Sequence, residues 1–151
     1  MGKLPFAICV FVLLTVSKLS GQGNNYPYIK DSSAVAIDSQ TISRLCAHRW
    51  SLVKLEETLR TEKRRMTLSS VMQYSNDSSF VESGAPGKFA IENTFYINHY
   101  ELKDLANGKN KSFIKGRYFI SRISDSELVL VKYSTSSMDW KKEYFFKNQD
   151  E

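Results

Sequence analysis

The sequence predicts an all-β protein: an antiparallel up-and-down meander closed into a barrel, with a short N-terminal helix. Three observations carry that expectation. Aromatic residues make up 13% of the 151 positions, with 8 Tyr and 9 Phe, and such rings fit a pleated, half-buried surface. Short segments of alternating polarity recur from residue 50 to residue 147, as half-buried strands require. Turn-forming clusters rich in Ser, Asn, Asp and Gly separate these segments at close intervals. The length suits one domain with a single core. With 42% hydrophobic and 25% charged residues, the composition excludes a disordered or fibrous chain.

The chain opens with Lys3 and an uncharged apolar run over 4–16. That run is the length of a signal-peptide hydrophobic region and is short of the ~20 residues a membrane span needs. Small residues at Ser20, Gly21 and Gly23 place cleavage near residue 22. Residues 1–22 therefore read as a signal peptide, 23–41 as a flexible, polar arm with one apolar contact at Ala34–Ile37, and 42–151 as the barrel domain. Export implies a periplasmic or secreted protein with no stable membrane span after cleavage. Cys9 leaves with the signal, so the mature chain keeps one thiol, Cys46, whose neighbours Leu45 and Ala47 argue for burial. The net charge falls from +5 to +3 as Lys3 and Lys18 depart, too modest an excess to indicate nucleic-acid binding.

From Ser39 the chain is patterned. Thr41, Ile42, Leu45 and Cys46 suggest one or two helical turns, with Ser39 as N-cap. The next stretch has two readings. Leu52, Val53, Leu55 and Leu59 fit a strand over roughly 50–57, and equally a helix continuing from 39 to about 64. The basic run at 60–65 falls between predicted strands and reads as a solvated loop, or as a contact for an anionic surface. Residues 66–74 place Met66, Leu68, Met72 and Tyr74 on one face. A turn at 75–78, a strand over 79–82 and a break at 83–87 follow. Over 88–100, Phe89, Ile91, Phe95, Ile97 and His99 share a face, in one strand or in two joined near Asn93. Asn107-Gly108 marks a hairpin. Strands over 112–123, 127–133 and 140–147 complete a tally of seven, and the last carries Trp140, Lys142, Tyr144 and Phe146 on one face.

Several of these residues fall in a familiar order: a helical entry, Trp50 in the first strand, the segment MQYSNDSSF at 72–80, Gly116-Arg117-Tyr118, ISDSELVLV at 123–131 and EYFFK at 143–147. The order, over roughly 44–148, resembles the small secreted lipocalin-like domains of Gram-negative bacteria. Here His48 stands in place of the glycine of the G-x-W hallmark, and Ser78 in place of the hairpin glycine. The resemblance favours a strand over 50–57 and implies an eight-stranded barrel, with the further strand in 88–104 or in the arm. Such a barrel has room for side chains or one small ligand.

Alternation then turns Met72, Tyr74, Phe95, Tyr118 and Tyr144 inward as candidate ligand contacts. Lys142, two residues before Tyr144, is a candidate cation for an anionic head, by likeness to the Arg-x-Tyr pair of fatty-acid-binding proteins. The expectation is a non-enzymatic barrel for a small hydrophobic or amphipathic molecule. The alternative is a filled barrel that meets a cell-envelope partner through its loops or outer face. No cofactor, metal or catalytic residue is expected. The sequence contains no G-x-S-x-G, H-E-x-x-H, Gly-rich phosphate loop or C-x-x-C. Cys46-x-His48, with His99 as the one other imidazole, supplies too few ligands for a tetrahedral metal site.

Overall fold

The computed structural model describes residues 34–150, apart from 93, 105–109 and 135–139. The signal segment, most of the arm, the Asn93 bend, the Asn107-Gly108 hairpin and most of the turn at 134–139 lie outside the described residues. What is described is one helix and nine strands: α1 (Ser39–Ala47), β1 (Arg49–Leu59), β2 (Glu62–Met66), β3 (Val71–Tyr74), β4 (Ser79–Glu82), β5 (Ala85–Glu92), β6 (Tyr96–Asp104), β7 (Asn110–Ile123), β8 (Glu127–Tyr133) and β9 (Trp140–Asn148). All pairings are antiparallel between neighbours, and β9 returns to pair with β1. The meander is therefore closed into a ring, β1-β3-β4-β5-β6-β7-β8-β9, with β2 on the free flank of β1.

The helix begins one residue earlier than its sequence suggests. Asp38, not Ser39, is the cap: its carboxylate accepts from the Thr41 backbone N–H at 2.7 Å, satisfying one of the donors that a helix leaves open at its start. His48 is already extended, so the chain turns directly into β1. The helical spacing of Leu52, Leu55 and Leu59 has a local cause. The β1–β9 register shifts between Leu52 and Lys54, so Val53 is an extra residue in a bulge and stands 45% exposed. The bulge moves the inward phase from Trp50 and Leu52 to Leu55, Glu57 and Leu59. A period-two strand with one insertion imitates a period near 3.6.

Three further expectations are corrected. Residues 66–74 are not one strand. Leu55 pairs with Met66 and Ser51 with Val71, so four residues, 67–70, stand opposite three and leave the ladder. The basic run is not a loop: only Arg60 and Thr61 turn, and Glu62–Met66 pairs with β1. Its outer edge has no strand partner among the described residues, and its exposed Lys63, Arg64 and Arg65 are the charges that keep an open edge from pairing with another chain. Finally, residues 88–100 take the two-strand form of the expected alternatives, and the correction falls on Phe95. Phe95 sits in the turn between β5 and β6, its N–H donating to the Glu92 carbonyl at 3.3 Å, and is therefore not inside the barrel with Ile97.

The ring encloses one apolar core that includes Trp50, Leu52, Met72, Tyr74, Phe80, Phe89, Ile97, Ile120, Leu128, Leu130 and Phe146. The two ends differ. At one, α1 inserts Leu45 fully and Ile42 and Cys46 partly into this core. The Trp50 indole N–H donates to the Leu45 carbonyl at 2.9 Å. Residues 35 and 37 strap the same end through Val35 N–H to the Ile120 carbonyl and Ile37 N–H to the Thr94 carbonyl, which is the arm contact the sequence suggested. Cys46 is half-buried and free, and burial raises its thiol pKa. The other end carries the connections 60–61, 67–70 and 83–84. Outside the ring, Phe119, Val129 and Val131 form a second apolar layer with Ala34, Tyr96, Tyr133 and Phe145. Both faces of β8 are thus covered, and it reads as an unbroken apolar run.

Candidate functional site

Because α1 fills one end, the space inside the ring opens at the other. A cavity of about 360 Å³ lies there. Its floor is Leu52, Met72, Leu130 and Phe146; Tyr118 and Tyr144 form a wall, and Leu68, Ser69, Ser70 and Ser83 lie at the rim. The rim exists because 67–70 leaves the ladder. There the wall is held by Leu52 N–H to the Ser70 carbonyl at 2.7 Å, Ser83 N–H to the Val71 carbonyl at 2.8 Å and the Ser70 and Ser83 hydroxyls at 3.2 Å.

Lys115 and Glu82 form an ion pair at this opening. β4 and β7 are not neighbours in the ring, so the pair spans the mouth. Lys115 reaches it because the β6–β7 register passes from His99↔Gly116 to Tyr100↔Ile114 and leaves Lys115 as an extra residue. Gly116, the next residue, has no space for a side chain: a Cβ there would lie 2.6 Å from the Tyr118 ring. The glycine lets Tyr118 fold back along its own strand into the cavity wall.

Beneath the cavity is a buried polar contact. The Tyr74 hydroxyl and His99 Nε2 are 2.9 Å apart, and the imidazole lies between the rings of Phe80 and Tyr118 at 4.5 and 4.8 Å. Burial, with the nearby Lys115 charge, pushes the His99 pKa from its ordinary 6.5 to about 3, so the ring is neutral. Burial likewise raises the phenols of Tyr74, Tyr118 and Tyr144, and all three stay protonated at neutral pH.

On the β8–β9 side of the mouth, Lys142 faces inward with Tyr144 and pairs with Glu57 at 3.4 Å. The Trp140 indole N–H donates to the same carboxylate at 2.7 Å. Lys132 lies directly opposite Lys142 in the register, with Nζ 5.8 Å from the centre of the Tyr118 ring.

The six residues singled out by sequence are thus dispersed. Met72, Tyr118 and Tyr144 line the cavity. Tyr74 is inside the barrel but below it, engaged with His99. Lys142 is at the mouth, held by Glu57, and Phe95 is in the turn at the helix-capped end. Alternation does not reveal Lys115 or the serine rim, because each depends on a bulge or a break in pairing; Glu82 shares the inward phase of Phe80 two residues before it and is legible from it. Leu52, which alternation turns inward together with Trp50, lines the cavity, and Leu130 follows the same rule. Cys46 and His48 point to separate tasks: Cys46 packs on the core, and His48 Nδ1 accepts from the Asn148 side chain at 3.1 Å. Among the described residues no group of three or more His, Cys, Asp or Glu could hold a metal, and no helix is long and apolar enough to cross a membrane.

Fold and site define a class: a closed antiparallel meander, plugged by a helix at one end and open to a cavity at the other. No protein-family model, curated protein or solved structure matches the chain.

Proposed function

We propose that this chain is an exported, lipocalin-like barrel that binds a small hydrophobic or amphipathic ligand and carries out no catalysis. The cavity is the observation that supports this reading. Its volume of about 360 Å³ falls within the ~300–1,000 Å³ of small-molecule sites. Its lining has the composition such sites share, an apolar floor with a few polar groups near the opening. Dansylated undecanoic acid should bind the purified mature protein with a blue-shifted emission and a micromolar Kd, about −8 kcal/mol.

Export rests on the N-terminal segment. Protein recovered from the periplasm or medium should have an intact mass lacking roughly 21–23 residues, the span of a signal peptide. Recovery of the chain from the membrane with Met1 still in place would overturn export.

A second reading has its own observation. Leu102 and Ile114, on the outer face of the open-end halves of β6 and β7, are 40% and 58% exposed. If no dansyl probe binds, this apolar patch becomes the reason to regard the protein as a filled barrel that meets an envelope partner through its outer face.

A further inference from the structure

The mouth of the cavity holds an uneven set of charges. Lys115 is neutralised by Glu82, and Lys142 by Glu57. Lys132 is half-buried, and among the described residues it has no carboxylate partner. Its side-chain contact is the face of Tyr118, a residue of the cavity wall. It also stands opposite Lys142 on the inner face of neighbouring strands, where two like charges repel. Burial and the Lys142 charge both favour the uncharged amine, and its pKa is lowered accordingly. A lysine drawn partly out of water beside a second lysine is costly as it stands. One negative charge above Tyr118 would relieve both the desolvation and the repulsion.

Resting on the reading of the cavity as a ligand site, we propose that Lys132 is an anion-binding subsite, which holds the monoanionic head of an amphipathic ligand whose apolar tail lies in the cavity. A carboxylate fits the surplus of a single positive charge at the mouth, three lysines against two glutamates. The tail would run past Tyr118 and Tyr144 toward Leu130 and Phe146, away from the solvent-facing lysines. This assigns to β8 the role that the sequence alone gave to Lys142, because Glu57 already occupies Lys142.

The test compares dansylated undecanoic acid with its methyl ester, which has the same tail and no charge. The wild type should bind the acid at least about tenfold more tightly than the ester, the range of a charge-assisted contact. Lys132→Met should abolish that preference while leaving ester affinity within about twofold, which also shows that the variant is folded. Lys132→Arg should restore most of it. Equal affinity of the wild type for acid and ester would overturn the subsite and leave the cavity reading standing. So would a Lys132→Met variant that weakens both probes in proportion. Binding of neither probe to the wild type would overturn both.

Discussion

Trp50→Ala is expected to destabilise the protein by about 3–5 kcal/mol, the range for removing a large aromatic side chain from a core. Trp50 is fully buried. On the ladder it lies between Met72 of β3 and Asn148 of β9, where the meander closes. Its N–H holds the Leu45 carbonyl, and Leu45 is the residue α1 buries most deeply. Truncation would open a cavity at the ring's seam and free the helix that plugs its end. Trp50→Phe separates these effects. It keeps a ring in the core and costs about 1–3 kcal/mol, chiefly by leaving the Leu45 carbonyl unpaired. Guanidinium unfolding followed by circular dichroism would measure both. A loss below about 1 kcal/mol for the alanine variant, as at a surface position, would contradict this account of the seam.

Acid should unfold the protein through His99. In the unfolded chain this imidazole titrates near its ordinary 6.5, and in the folded barrel at about 3. The unfolded state therefore takes up the proton first, and stability falls as pH drops through that window. The slope approaches about 1.4 kcal/mol per pH unit below about pH 6, and the loss is roughly 2 kcal/mol between about pH 6.5 and about pH 4.5. The carboxyls of Asp38, Asp77 and Glu56 act in the same direction but later. Hydrogen bonds from Thr41 and Ser79 hold the two aspartates below their usual range, and for Glu56 the pull of Lys54 and Arg65 outweighs its burial. Their contribution is lost only as pH falls toward and below about 4. His99→Gln, which retains an acceptor for Tyr74, should be less stable at neutral pH and should lose the slope between about pH 4.5 and 6.5. A wild-type stability that stays level over that interval would show that His99 is not held neutral by burial.

Much of the architecture is legible in the chain because strand alternation is a local property. Tyr118 and Ile120, Leu128 and Leu130, and Tyr144 and Phe146 face the core as a period of two requires. The turn residues at 75–78 interrupt the chain where they should, but of the expected break at 83–87 only 83–84 turns, and Ala85, Pro86 and Gly87 already pair in β5; Ser78, Ser83 and Gly84 all adopt positive φ. The site is less legible for a physical reason. Alternation predicts facing only while pairing is continuous. Two features that shape the opening lie at a departure from it: 67–70 between β2 and β3, and Lys115 as the extra residue of β7. The same rule puts Phe95 on the face of Ile97, but the turn between β5 and β6 resets the phase.

The sequence by itself determined the class of the fold, the start of the described helix to within one residue, and the side each regular strand turns inward, since these follow from composition, capping chemistry and a two-residue period. The tertiary structure alone decided which end of the ring is closed and which is open. It also decided that Lys142 is neutralised across the β1–β9 seam while Lys132 meets no carboxylate among the described residues. Both outcomes depend on pairing between residues far apart in the chain, Glu57 with Lys142 and Trp50 with Asn148. No local pattern encodes the register at which a ring closes, because that register is set by how the whole core packs.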